Sequence, residues 1–300
     1  MFIKSRVMPS TILAIFIIFL LIISSSFAYE CGDINCSGGD PDISDITRII
    51  DFLYLSHSPL CDPQIADVNG SGGDPDISDI TKLIDNIYLS RSPLNCPPTI
   101  DCPETVTDID GNVYQTVKIG DQCWMKENLK VTHYRNGDAI PNVTGDDWSG
   151  LFTGAYCDYD NNEGNVAVYG RLYNWYAVDD SRGLAPEGWH VPSENEWQTL
   201  ADYLGGEAVA GGKMKEVGIV HWLSPNTGAT NESGFTALPG GYRFDVGNFS
   251  DMNIYAIFWS STEFDFSSAW SHGLNNAYEG LIPFDDNFKQ FGFSVRCVKD

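Results

Sequence analysis

Basic residues are scarce. The chain carries 17 Lys+Arg against 41 Asp+Glu, a formal net charge of −24. That balance argues against a nucleic-acid binder, which needs a basic footprint. It argues equally against electrostatic docking on anionic lipid. It favours solubility, bound cations or cationic partners. No Cys-x-x-Cys pair occurs, which weakens zinc and thioredoxin-type redox readings. No Gly-x-Ser-x-Gly elbow occurs either, and His133, His221 and His272 are scattered without zinc spacing. After the first two dozen residues no second long apolar run follows, so the mature chain is not expected to span a membrane. What is present suits folded protein: 300 residues, 43% hydrophobic and 13% aromatic. At roughly 100–200 residues per domain this suggests two domains. The 29 Gly and 15 Pro fit loop-rich folds rather than wholesale disorder.

The amino terminus reads as an address. Lys4 and Arg6 form a basic start, Ile12 to Ile23 is almost wholly apolar, and Ser24-Ser25-Ser26-Phe27-Ala28 supplies small residues at a cleavage point after Ala28. Residues 1–28 are therefore expected to be a secretory signal peptide. No Cys follows the cut, so no lipid anchor is expected. All eight cysteines lie beyond it: Cys31, Cys36, Cys61, Cys96, Cys102, Cys123, Cys157 and Cys297. An even count in an exported chain predicts disulfides. Five precede the second domain, so full pairing needs a bridge between the regions, with Cys102 the natural candidate.

Residues 33–60 and 67–94 are a duplication, identical at 21 of 28 positions. Each copy opens with oxygen-bearing side chains: Asp33, Asn35, Ser37, Asp42 and Asp45, then Asp67, Asn69, Ser71, Asp76 and Asp79. Such a turning loop can offer a hard cation its six to eight oxygens, with Gly38 or Gly72 permitting the turn. Asp40 and Asp74 are spare oxygens. A helix should follow each loop, because Ile46, Ile49, Ile50, Leu53 and Tyr54 recur at helical spacing, as do Ile80, Leu83, Ile84, Ile87 and Tyr88. Neither stripe is long enough to stand alone, so the two should pack face to face. Pro59 and Pro93 close the units.

This loop–helix pair, lacking a helix before each loop, resembles a dockerin type I module over residues 29–96. The resemblance implies two calcium sites and docking onto a cohesin in polysaccharide-degrading assemblies. Asp45 and Asp79 fall one residue later than the family's last carboxylate, and Ser37 and Ser71 replace a stronger ligand, which predicts weaker calcium binding.

Residues 97–104 make a proline-rich linker, and the composition then changes. Val113–Ile119 alternates as a strand. Leu172–Val178 is expected to be a short helix. Ser193-Glu194-Asn195-Glu196 is a capping box opening a helix with Trp197, Leu200, Ala201 and Leu204 on one side, stopped at Gly205-Gly206. Short strands are expected at Phe235–Leu238, Gly241–Phe244, Ile257–Ser261, Trp270–Gly273 and Phe291–Val298. The fold class is α+β.

The words DIDGNVYQTVKIGDQCWMKENLK, YGRLYNWYAV, GWHVPSENEWQTLADYLGG, SPNTGATNESGFTALPGGYR, FWSSTE and GFSVRCVKD resemble the Fibrobacter succinogenes major paralogous domain over residues 105–300. That resemblance implies a C-type-lectin-like fold with its terminal strands side by side, two helices and a long ligand-bearing loop region. It also implies kinship with formylglycine-generating enzymes and with the variable proteins of diversity-generating retroelements. Trp124, Trp175, Trp189, Trp197, Trp222 and Trp259 belong to these words and are expected in the core.

Catalysis is not the expected role. The formylglycine-generating relatives use a cysteine pair near the carboxyl terminus, where this chain has only Cys297. His190 has no recognisable nucleophile or orienting partner. Asp146-Asp147 and Asp285-Asp286 are neighbours that point apart or into solvent, unlike a hydrolase pair. The sugar-binding C-type-lectin triplets are missing, and Ser224-Pro225-Asn226 is only an echo. The candidate ligand face is the aromatic set Phe264, Phe266, Trp270, His272, Tyr278 and Phe288. The expectation is therefore a secreted, non-enzymatic bacterial binding protein at the cell surface or outside the cell. Its partner would be a glycan or surface protein. The alternative is an accessory part of a polysaccharide-degrading assembly recruited by a cohesin. No sorting tail follows the closing strand, so surface retention would need a partner.

Overall fold

The computed structural model describes residues 31–37, 40–60, 63–72, 74–94 and 101–300. The expected signal peptide, Gly38, Cys61, Cys96 and residues 97–100 of the linker lie outside the described residues. The chain divides into two compact units between Thr99 and Ile100. Among the described residues no helix is long and apolar enough to cross a membrane.

The smaller unit is built on the duplication. Helix α1 spans Ile43–Ile50 and α2 spans Ile77–Tyr88. Their starts are chemically identical. Asp42 accepts from the Ser44 amide at 2.7 Å while Asp45 accepts from the Asp42 amide at 2.8 Å. Asp76 and Asp79 repeat this at 2.6 and 2.9 Å. These are capping boxes with an acid at each end, favourable at a helix N-terminus. Ile46 and Ile49 of α1 meet Ile80 and Leu83 of α2 in a small core with Ile34, Leu60, Ala66 and Val68. The buried stripe is narrower than the helical spacing suggests, because Tyr54 and Tyr88 are exposed. After Ile50 the first helix widens to π geometry over Asp51–Leu55.

The larger unit is α+β, with two five-stranded sheets. The first is ordered β1-β2-β3-β12-β6. It comprises β1 (Thr105–Thr107), β2 (Val113–Ile119), β3 (Gln122–Met125), β6 (Trp189–His190) and β12 (Val298–Lys299). An early strand and the last strand of the unit meet here, since Trp124 of β3 pairs with Val298 of β12. A Cys102–Cys123 disulfide ties the start of the unit to β3. Closing a loop of that length stabilises by about 3 kcal/mol. A small ribbon pairs β4 (Tyr156–Cys157) with β5 (Leu172–Tyr173). The second sheet is ordered β11-β10-β9-β7-β8. It comprises β7 (Gly240–Arg243), β8 (Phe249–Met252), β9 (Tyr255–Glu263), β10 (Ser268–Asn275) and β11 (Ile282–Phe288).

Several expectations shift. Leu172–Val178 is half strand, and only Trp175–Val178 is helical, because Asn174 caps it by accepting from the Ala177 amide. Phe235–Leu238 forms no strand, and the closing segment is regular only at β12. The expected helix α3 is present as Glu194–Tyr203, and a second helix, α4 (Glu207–Met214), follows at once. Gly205 and Gly206 turn the chain between them with φ of 97° and 95°, values that favour glycine. All six framework tryptophans are buried. Trp124 and Trp197 touch at 4.8 Å between ring centroids.

The capping box of α3 carries a charge cluster. Ser193 donates to Glu196 from its amide and its hydroxyl, both at 2.7 Å. His190 bridges Glu196 at 2.7 Å and Asp300 at 2.6 Å. Burial pushes Glu196 up, but hydrogen bonds from His190 and Ser193 outweigh it and bring the carboxyl down to about 2. The bond to Glu196 lifts His190 above its ordinary 6.5, against burial and with help from Asp300. The Glu196 contribution is present above its ordinary 4.5 and lost as pH falls towards about 2. The His190 contribution is full below 6.5 and lost as pH rises through the raised value. Melting temperature should therefore peak between these limits, and Glu196→Gln should flatten both flanks. An unchanged profile in the variant would show that the cluster has no part in stability.

Candidate functional site

Two regions gather chemistry. The first is the pair of acidic loops. Asp33, Asp45, Asp67 and Asp79 are each no more than 2% exposed. Asp67 accepts the amides of Ser71 at 3.0 Å and Gly72 at 2.8 Å. Asp79 accepts the Asn69 amide at 3.2 Å, so it closes the loop onto the helix start. Asp33, Asn35, Ser37 and Asp45 reproduce the pattern. Ser37 donates its amide to Asp33 at 3.0 Å and Asn35 at 2.8 Å, while the Asn35 amide reaches Asp45 at 3.0 Å. Burial raises Asp79 above the usual carboxylate range, against the amide bonds, and the charges of Asp67 and Asp76 add to the rise. Asp79 is thus a buried carboxylate set beside two other acids.

Not every expected ligand joins them. Asp42 and Asp76 spend their oxygens on Ser44 and Ser78, and these bonds hold both below the usual range. They are helix caps. Asp40 and Asp74 are exposed. Among the described residues no group of three or more His, Cys, Asp or Glu is arranged to hold a metal. A cation here would rest on two carboxylates per loop, Asp33 with Asp45 or Asp67 with Asp79, completed by neutral oxygens such as those of Asn35, Ser37, Asn69 and Ser71.

The second region lies on the β7–β11 sheet. The six aromatic-face candidates do not form one surface there. Phe264 and Phe266 sit in the β9–β10 turn, and Phe264 stands edge-on to Trp270 at 5.8 Å. Phe288 ends β11 opposite Ser268, near that turn. Tyr278 belongs to the β10–β11 connection at the other end of the strands. His272 is 3% exposed, held by Glu194 at 2.8 Å and stacked on Trp197 at 5.0 Å. It is a core residue with nothing to offer an external ligand.

A different set of rings lines a cleft of about 300 Å³: Tyr242, Phe244, Tyr255, Phe284, Phe291 and Phe293, with Ile257, Asp251 and Asn287. Strands β7 and β9 run parallel through Gly241 and Ala256, which sets Tyr242 beside Tyr255 and Ile257. The segment after β11 returns Phe291 and Phe293 to the same place. Tyr242 meets Phe244 at 5.0 Å and 74°, and Phe293 at 6.0 Å and 75°. Phe244 meets Phe291 at 5.7 Å and 53°. The Tyr242 hydroxyl donates to Asp251 at 2.8 Å. Burial, followed by that bond, pushes the phenol up to about 12, so it stays neutral. Phe288 stacks on Phe291 at 6.4 Å.

A family model described as the Fibrobacter succinogenes major domain matches residues 117–299. The chain belongs to that family. Comparison with curated proteins and with solved structures finds no match to either.

The thiols of this family member are not poised for chemistry. Cys157 and Cys297 are unpaired and buried. Burial pushes Cys157 up to about 12, with Arg243 pulling weakly the other way, and raises Cys297 further. Such thiols are poor nucleophiles at neutral pH. Full pairing of the eight cysteines is thereby corrected. Cys31, Cys36, Cys102 and Cys123 are disulfide-bonded, while Cys157 and Cys297, buried in separate hydrophobic clusters, are not. Cys102 pairs with Cys123, but both lie in the larger unit, so this disulfide is not the expected bridge between the two regions. His190 faces two carboxylates, and Asp285 and Asp286 are exposed on β11.

Proposed function

We propose that this is an exported bacterial recognition protein without catalytic activity, whose larger unit is C-type-lectin-like. Its ligand, a glycan or surface protein, is taken up at the aromatic cleft on the β7–β11 sheet. The observation that carries this reading is the cleft itself. Partly exposed rings stand around a carboxylate and an amide, and aromatic faces of that kind supply both contact area and orientation. The adjoining β3 and β12 support the lectin-like reading. The acidic loops are proposed to hold calcium, through Asp33, Asn35, Ser37 and Asp45 in one and Asp67, Asn69, Ser71 and Asp79 in the other. Calcium there would neutralise buried carboxylates and fix the loops against the helix starts.

A second reading has its own support. The duplication repeats three exposed apolar positions: Ile43 with Ile77, Tyr54 with Tyr88, and Leu55 with Leu89, each 57–72% exposed. Matched apolar positions on both copies suit a dockerin-like surface for a cohesin, making the chain an accessory of a polysaccharide-degrading assembly.

The test is an array of glycans and bacterial surface proteins probed with the full chain, in calcium and in chelator. Saturable binding is expected, and Tyr255→Ala with Phe284→Ala should weaken it at least about tenfold, since each lost aromatic contact removes of order 1 kcal/mol. Undiminished binding by the folded double variant would move the site away from the cleft. A cohesin as the sole ligand would favour the second reading.

A further inference from the structure

The cleft is more specific than a generic apolar surface. Its one charge is Asp251, and among the described residues no Lys or Arg lines it or pairs with that carboxylate. Anionic ligands such as uronates or phosphates would meet an unscreened like charge there. Its rings are not one flat platform: Phe291 and Phe293 stack at 28°, and Tyr242 stands across Phe293. Tyr242 stands 74° and 75° to Phe244 and Phe293, which makes corners rather than a floor. Parallel platforms suit sugar rings laid along them, whereas a corner offers several π faces to one compact group.

The lining's hydrogen-bonding groups are few: the Tyr242 and Tyr255 hydroxyls, Asn287 and the Asp251 carboxylate. The Tyr242 hydroxyl is taken by Asp251, and the Asn287 amide donates to Ser271 at 2.8 Å. A neutral sugar, with a hydroxyl on nearly every carbon, would leave many of them unpartnered on entry. The cavity, about 300 Å³, is at the small end for ligand sites. A compact, positive head group without N–H donors fits this lining.

We propose that the cleft binds a quaternary ammonium group of a small solute, with choline as the model ligand. Asp251 supplies the counter-charge, and Tyr242, Phe244 and Phe291 supply the π faces. This deepens the recognition reading above and rests on it. Cation–π contact and the Asp251 counter-charge attract such a group, and the ammonium itself carries no N–H to satisfy. The backbone also suits the test. Asp251 has φ of 59°, a left-handed conformation that asparagine tolerates well, so Asp251→Asn removes the charge without strain.

The experiment is calorimetric titration of the full chain with choline, with 3,3-dimethylbutan-1-ol as its uncharged isostere, and with glucose. Choline should bind saturably. The isostere should bind at least about tenfold more weakly, and Asp251→Asn and Phe244→Leu should each weaken choline about tenfold. Phosphatidylcholine vesicles form a further arm, and co-sedimentation stronger than choline binding would overturn the small-solute source in favour of a lipid head group. No saturable choline binding, or equal binding of the isostere, would overturn the proposal. Glucose binding that Tyr242→Ala abolishes would overturn it while leaving the recognition reading intact. Loss of ligand from the cleft with array binding retained would overturn both. Should a variant fail to fold, the comparison of choline with its isostere on the unaltered chain still decides.

Discussion

Replacing Arg296 by Met is expected to lower the stability of the larger unit by about 3 kcal/mol, the largest single effect among its polar residues. The guanidinium is 1% exposed and lies against Phe235 at 4.5 Å. It donates to Asn128 at 2.6 Å and to the carbonyls of Met125, Phe235 and Thr236 at 3.1, 2.7 and 3.2 Å. Burial brings its pKa down to about 9, so holding the charge in the core is costly. Met would relieve that cost but strand three buried carbonyls, each worth about 1–3 kcal/mol when left unmade. The second effect wins because the acceptors sit on two separate segments, 125–128 and 235–236, that cannot turn to one another. A melting temperature lower by about 6–12 °C follows for a unit of this size. Lys at this position reaches one acceptor at a time and should recover less than half. Urea unfolding that showed Arg296→Met as stable as the parent would mean the carbonyls find other donors.

Buried cations of this kind explain much of what the sequence leaves illegible. Lys215 is fully buried and donates to the carbonyls of Thr227, Asn275 and Tyr278 at 2.7–2.9 Å. Arg243 reaches Val143 at 2.6 Å and Gly145 at 3.0 Å, with its plane over Trp148. A lone Lys or Arg in a loop has the sequence appearance of a solvated charge. Helix α3 was legible because its signals are local: a capping box at one end and Gly205-Gly206 at the other. Helix α4 was not, because Gly211 and Gly212 suppress the helical pattern. Their reason is tertiary. A Cβ on Gly211 would lie 2.2 Å from the Gly280 carbonyl oxygen, and one on Gly212 would lie 2.4 Å from that of Gly228.

The candidate site divides along the same line. The acidic loops were readable because the duplication repeats their spacing, although the capping role of Asp42 and Asp76 needed the backbone to reveal it. The cleft was not readable. It joins β7, β8, β9, β11 and the stretch after it, and no spacing announces that Tyr242 will stand beside Phe293. The aromatics between residues 264 and 288 belong to the same sheet, but they mix an exposed turn with the buried His272.

Calcium is expected to raise the melting transition of the smaller unit, and chelation to lower it, with magnesium much less effective. At a calcium concentration about a hundredfold above the dissociation constant, each loop gains about 2.7 kcal/mol. The sign follows from Asp79. Its folded pKa is raised, so the folded form holds its proton more tightly than the unfolded chain. Its contribution therefore turns unfavourable as pH rises through the interval between the ordinary 3.8 and the raised value, and it stays so at neutral pH. A divalent cation beside Asp67 and Asp79 reverses that term. Asp79→Asn should then cost little in chelator, because losing one capping bond, about 1 kcal/mol, is offset by removing a buried like charge. In calcium the same variant should lose that loop's share of the gain, and Asp45→Asn with Asp79→Asn should lose all of it. The dependence should also fade under acid, since a carboxylate must be ionised to hold the metal. A full-chain melting curve superimposable in calcium and in chelator at pH 7 would sink the metal reading and leave the duplicated loops as turns closed by their own carboxylates.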